Sequence, residues 1–204
     1  LHPLLTPFSV LGSYWMFFLQ YGLILCIIAN LIIKFTPLTT KLVGTGVVGL
    51  LIVLLIAGTY FAYSPVVRNA TINIDKPGDD MRIVMASDFH LGLLSGKGHL
   101  DKFVALSNEQ NPDLVLLPGD IVDDSPKRFV EKDMDEVMKN LKSTYGVYGV
   151  LGNHEYYGDE IPEFKKEMAE ANVKILMDET ILVANRFYLT GREDVTNKNR
   201  LALK

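Results

Sequence analysis

The chain has 204 residues, with 20 Lys+Arg, 24 Asp+Glu, four His and one cysteine, Cys26. That length suffices for one or two packed domains, while a single cysteine excludes an intramolecular disulfide framework and any Cys-rich zinc module. Charge is spread unevenly: residues 1–66 carry only Lys34 and Lys41, and the other 138 residues hold all 24 acidic groups and a net charge of −6, which excludes a simple soluble chain, a disordered chain and a basic nucleic-acid-coating module.

Two runs of 22 residues, Gly12 to Ile33 and Leu42 to Tyr63, contain no formal charge. As helices rising about 1.5 Å per residue, each is roughly 33 Å long, enough to cross a hydrocarbon core of about 30 Å. They predict two transmembrane helices (about 12–33 and 42–63) forming a hairpin in a membrane region spanning 1–66. Lys34 and Lys41 flank the intervening loop, whereas Tyr14, Trp15, Tyr60, Phe61 and Tyr63 collect at the opposite ends. Basic residues mark the cytoplasmic side and aromatic residues the interfaces, so the reading is multi-pass, with everything after Tyr63 extracytoplasmic. Arg68, Lys76 and Arg82 argue the other way, but Asp75, Asp79 and Asp80 lie among them.

After a linker at 67–80, the periodicity changes. Ile83–Ala86 is a continuous apolar run that predicts a strand buried on both faces; Leu114–Leu117, Val147–Leu151 and Val173–Met177 follow as further strands. Ile181–Val183 and Phe187–Leu189 read as a strand pair joined near Asn185. Between strands come three helical patterns. Leu100, Phe103, Val104 and Leu106 mark the first. The second starts at Ser125-Pro126 and carries one stripe of Val130, Met134, Val137, Met138 and Leu141. The third opens at Pro162 with Phe164, Met168 and Ala171 facing inward. Strand–helix alternation at this spacing means an α/β domain with a largely parallel sheet over 81–204.

The chemistry-bearing residues follow the strands. The first ends in Ser87-Asp88-Phe89-His90, the second in Pro118-Gly119-Asp120, the third in Gly152-Asn153-His154-Glu155. Loops beyond the carboxyl ends of parallel strands open on one crevice, so two carboxylates, a carboxamide and two imidazoles should meet there. Such a mixed nitrogen and oxygen set suits Mn, Fe or Zn better than Mg or Ca. Around it, Glu155 reads best as a loop tie, Asp123 and Asp124 as solvent-facing or capping residues, Tyr156 and Tyr157 as packing residues, and Arg192 as a weak candidate for contacting a phosphate.

These three blocks together resemble the signature blocks of the calcineurin-like metallophosphoesterases, most closely a membrane-associated bacterial branch, over about Met81 to Asp194. The resemblance implies a four-layered α/β/β/α sandwich with a centre for two divalent metal ions that hydrolyses a phosphomonoester or phosphodiester. Residue by residue it implies that Asp88 and His90 bind the first metal, Asp120 bridges both, Asn153 binds the second, and His154 sits beside the scissile phosphate. It also implies later blocks, an isolated His and a Gly-His-x-His. No histidine follows His154 here, so the sequence reads as a fragment, expected to be inactive alone. Membrane helices beside such a centre point to a lipid or cell-envelope phosphoester as substrate and to membrane lipids as partners. A metal-binding pseudoenzyme or interaction module is the alternative. A nuclease is disfavoured, because net −6 without a Lys/Arg cluster repels a nucleic-acid backbone. Nothing in the sequence bears on oligomeric state.

Overall fold

The computed structural model describes residues 6–75 and 78–202; Lys76, one of the basic residues counted after the second apolar run, lies outside them. The chain divides between Val66 and Val67 into two compact units.

The first unit is helical: α1 (Thr6–Ser13), α2 (Trp15–Phe35) and α3 (Thr40–Ala62). The apolar helical stretch Pro7–Phe35 and α3 are each long and apolar enough to cross a membrane. The first starts earlier than the sequence reading placed it, because Pro7 is tolerated in a first helical turn, where its missing N–H costs no hydrogen bond. Lys34 lies in the last turn of α2, and Thr39 Oγ1 caps α3 by accepting from the Leu42 N–H at 3.3 Å.

The second unit is α/β. Its elements are β1 (Ile83–Met85), α4 (Lys97–Glu109), β2 (Leu114–Pro118), α5 (Lys127–Glu131), α6 (Met134–Met138), β3 (Val147–Val150), α7 (Asn153–Tyr157), α8 (Ile161–Glu170), β4 (Val173–Ile175), β5 (Glu179–Val183) and β6 (Phe187–Gly191). Strands β1-β2-β3-β4 form a parallel sheet in that order, while β5 and β6 form an antiparallel hairpin. The registers Val84 with Val115 and Val115 with Val147 align one apolar row across the sheet. Against it pack Leu100, Phe103 and Val104 of α4, Met134, Val137 and Met138 of α6, and Phe164 and Met168 of α8. The hairpin turns through the three residues Ala184, Asn185 and Arg186, with Ala184 and Asn185 at positive φ and the Arg186 N–H donating to the Val183 carbonyl at 2.9 Å. A helix layer, a parallel sheet and a two-stranded sheet are thus three layers of the expected sandwich.

Two local expectations are corrected. β1 is not buried on both faces: Ile83 is 49 % exposed and Met85 68 %, and only Val84 turns to the core. The reason is sheet order, since β1 has a neighbour on one side and the helices cover one face. The second helical pattern also breaks in two at Asp133, which adopts φ 51°; Phe129 of α5 is buried while Val130 of the predicted stripe is exposed.

A strap runs from β6 back over the loop at Asp178. The Asp178 carboxylate accepts from the N–H groups of Glu193 (3.1 Å) and Leu201 (2.5 Å) and pairs with Arg192 at 3.2 Å. Burial pushes this carboxyl up, but those two N–H groups and the charges of Arg192 and Arg200 outweigh it and leave it below its ordinary value. Asp194 is lowered by the hydroxyl and N–H of Thr196. A depressed carboxyl contributes stability above its unfolded value near 3.9 and loses it as pH falls further. The strap should therefore stay closed down to about pH 4 and loosen below it, read as a falling protection factor against amide exchange at Glu193 and Leu201 once the intrinsic pH dependence of exchange is divided out. Asp178→Asn should lower those protection factors at neutral pH and remove most of their acid dependence; protection factors unchanged between pH 6 and pH 3 would contradict the assignment.

Candidate metal centre

The three loops meet because the β1–β2 ladder continues past the strands. After Ala86 N–H to the Leu116 carbonyl (3.1 Å) come Asp88 to Gly119 (3.4 Å), His90 to Asp120 (3.0 Å) and Leu91 to Ile121 (2.9 Å). Continuing the ladder while turning side chains into one cleft forces the backbone into the left-handed region: Asp88 at φ 59°, His90 at 45° and Asp120 at 51°. Such positions cost of order 1 kcal/mol or more each, and Asp and His tolerate them better than bulkier residues.

The second and third loops touch through glycines. Gly119, at φ 85°, would place a Cβ 2.7 Å from the Gly152 Cα, and a Cβ on Gly152 would lie 2.2 Å from Asp120 Oδ1. Any side chain there would push Asp120 out of the cleft. One further residue locks the pair. Glu155, 1 % exposed, accepts from the backbone N–H groups of Asp120 (3.0 Å), Ile121 (2.7 Å), Val122 (3.1 Å) and Gly152 (2.8 Å). Four donors around a buried carboxylate compensate its desolvation.

Ligand-capable atoms of Asp88, His90 and Asp120 all lie within 4.8 Å of one another, as do those of His90, Asp123 and His154. The two triads thus bring together five residues, three with hard carboxylate and two with borderline imidazole donors and His90 shared, a donor set that fits a divalent metal ion. Asp88 is exposed and accepts from the Ser87 hydroxyl at 2.5 Å; Asp120 accepts the His154 N–H at 3.0 Å. Asn153 opens α7 next to them, half-buried between Gly152 and His154. The rings of His90 and His154 stand edge to face, centroids 4.4 Å apart.

Asp123 and Asp124 were read as solvent-facing. Both do remain about half exposed, yet His154 Nδ1 lies 2.8 Å from Asp124 Oδ1 and 3.8 Å from Asp123 Oδ1. Their signal in the sequence was only their place three and four residues after Asp120; the bend that swings them back depends on Leu91 bridging Val122 and on Asp124 at φ 61°. Tyr156 does pack: its hydroxyl donates to Glu193 at 3.0 Å, and burial together with that bond pushes the phenol up to about 12, so it stays neutral. Arg192 pairs with Asp178 and donates to the Leu201 carbonyl.

Glu155→Gln should destabilise the domain by about 2–4 kcal/mol in urea unfolding, because the new amide turns a donor toward two N–H groups. A loss below about 0.5 kcal/mol would mean that the two loops hold together without it.

Residues 81–198 match the family model for calcineurin-like phosphoesterase. An uncharacterized metallophosphoesterase of Campylobacter jejuni is 34 % identical over 120 residues, 58 % of this chain and 31 % of that protein. A transmembrane protein with metallophosphoesterase domain from Danio rerio is 33 % identical over 103 residues, 49 % of this chain and 23 % of that protein. An uncharacterized metallophosphoesterase of Aquifex aeolicus is 28 % identical over 142 residues, 69 % of this chain and 52 % of that protein. This chain thus spans about a third or less of the first two relatives. No solved structure matches the chain significantly. With the family model covering more than half of its length on top of this cleft, the chain belongs to the calcineurin-like phosphoesterase family.

Proposed function

We propose that the protein is a membrane-anchored, metal-dependent hydrolase of phosphoesters. One observation carries the reading: three family blocks, each following a parallel strand, bring Asp88, His90 and Asp120 within ligand distance of one another, with His154 against His90. In this reading Asp88 and His90 hold one divalent metal ion, Asp120 is shared with a second, and Asn153 serves the second. Bound divalent metals supply positive charge that polarises phosphoryl oxygens and makes water acidic enough to attack phosphorus at neutral pH.

The chain's own residues supply orientation and a proton. Asp120 is pinned by the His154 N–H through one oxygen and by the Glu155 clamp through its backbone, so its carboxylate needs little rearrangement to bind cations. Asp124 beside Nδ1 of His154 accepts the Nδ1–H, which orients the ring and leaves Nε2 for the substrate side. Nε2 is then the atom that gives its proton to the departing alcohol oxygen. Residues 1–66 form the membrane region, 67–80 the linker and 81–204 the phosphoesterase portion. The Lys34–Lys41 loop lies on the cytoplasmic side and the hydrolase outside. A lipid or cell-envelope phosphoester is the substrate class that such tethering favours.

The test uses the metal-stripped full-length protein in detergent, with phosphomonoesters, phosphodiesters and a phospholipid panel, reloaded with Mn, Fe or Zn. Turnover should return with metal. No turnover on any ester would refute the hydrolase and leave a metal-binding module. Asp120→Asn should be the most damaging single change. His154→Asn should lower turnover roughly 10²-fold while metal stoichiometry holds. Stoichiometry falling together with rate would instead make His154 a ligand alongside His90 and Asp123.

A further inference from the structure

Tyr156 and Tyr157 are neighbours on one short helix and have opposite environments. Tyr156 is drawn inward to Glu193. Tyr157 is 63 % exposed, and its ring stands edge-on to His154, centroids 5.6 Å apart at 66°. His154 in turn meets His90 at 4.4 Å. Three rings therefore run in a row, Tyr157, His154, His90, from solvent to the candidate metal ligands. A lone exposed aromatic is ordinary on a protein surface. Tyr188, 75 % exposed on the hairpin, is one such, with no ring contact to the cleft among the described residues. What sets Tyr157 apart is its place beside the imidazole.

We propose that Tyr157 is a substrate-contacting residue that forms the apolar wall for the leaving alcohol, so that the site takes phosphoesters whose alcohol carries apolar surface in preference to small polar ones. The inference rests on the reading of His154 as the group that protonates the leaving oxygen. If His154 Nε2 meets that oxygen, the first atoms of the alcohol lie alongside the imidazole, within reach of the ring next to it. Tyrosine suits the position. Its rigid ring offers a large apolar surface at little conformational cost, and its hydroxyl keeps the exposed end hydrated. Covering a good part of that ring with alkyl carbon is worth roughly tenfold in affinity. A small alcohol such as methanol reaches the imidazole without covering the ring and gains nothing.

Methyl phosphate and hexyl phosphate separate the two cases, because their alcohols differ in apolar surface and hardly in acidity. With the Mn-loaded full-length protein, Tyr157→Ala should raise KM for hexyl phosphate roughly tenfold. Both kcat values and the methyl phosphate KM should stay within about twofold. Tyr157→Phe should keep the wild-type preference, and Tyr188→Ala should change nothing. Hexylphosphonate, which is not hydrolysed, should lose about the same factor in Kd to Tyr157→Ala by calorimetry, while methylphosphonate binding is unaltered. Equal losses on both esters, or no change in either KM, would overturn the proposal and leave Tyr157 as a support for His154 or as mere surface. A wild-type protein that turns over no phosphomonoester, phosphodiester or phospholipid under any metal would bring down the hydrolase reading itself. Phosphonate Kd values alike for wild type and Tyr157→Ala would count against the apolar wall even then.

Discussion

Four backbone N–H groups from two different loops converge on the carboxylate of Glu155, and the rest of the candidate centre depends on that convergence. Three come from consecutive residues, Asp120, Ile121 and Val122, and the fourth from Gly152. A buried carboxylate without donors would cost several kcal/mol and would rather take up a proton than stay charged. With four donors it becomes a bracket. Because the donors are main-chain, the bracket fixes where the loops run without using the side chains of Asp120, Asn153 or His154.

That bracket makes sense of the strain around it. Asp88, His90 and Asp120 all sit at positive φ, a conformation that short loops do not hold without outside support. The support comes in part from the continued β1–β2 ladder, ending where Leu91 meets Ile121, and in part from Glu155 gripping the far side of the same turn. Buried Leu91, Ile121 and Val122 anchor the turn in the core, so strain at the cleft is balanced by packing beneath it. Rigid loops suit metal chemistry, in which ligand atoms displaced by a fraction of an ångström bind less well.

The helices and the sheet have a plainer task. Three helices cover one face of the parallel sheet, and the row through Val84, Val115 and Val147 seals against them. The opposite face carries the partly covered side chains of Leu116, Tyr148 and Val150 and the exposed ones of Ile83 and Met85. Gly191 brings the hairpin close to Leu176 and Val150 on that side; a Cβ there would fall 2.1 Å from the Leu176 Cβ. The candidate ligands thus lie at one end of the sheet, while its faces supply stability.

Much of this was legible in the amino-acid order. Charge-free runs long enough to span a bilayer, the strand positions, the inward faces of α4 and α8 and the three ligand blocks are all local patterns, set by hydrophobic period, turn residues and spacing. Sheet order is not local. Ile83-Val84-Met85 reads the same whether it lies centrally or at an edge, so its exposure was decided by its edge place among the described strands and by the helices covering only the Val84 face. The break at Asp133 lay below the resolution of a period-3.6 stripe, which Phe129 and Met134 satisfy equally well as two short helices. The contacts that complete the site were hidden for the same reason. Glu155 does read from the sequence as a loop tie, but the donors it meets 33 to 35 residues away do not, nor does Asp124 reaching His154 across 30. Spacing along a chain can say which groups follow a strand; only the packed backbone decides which of them touch.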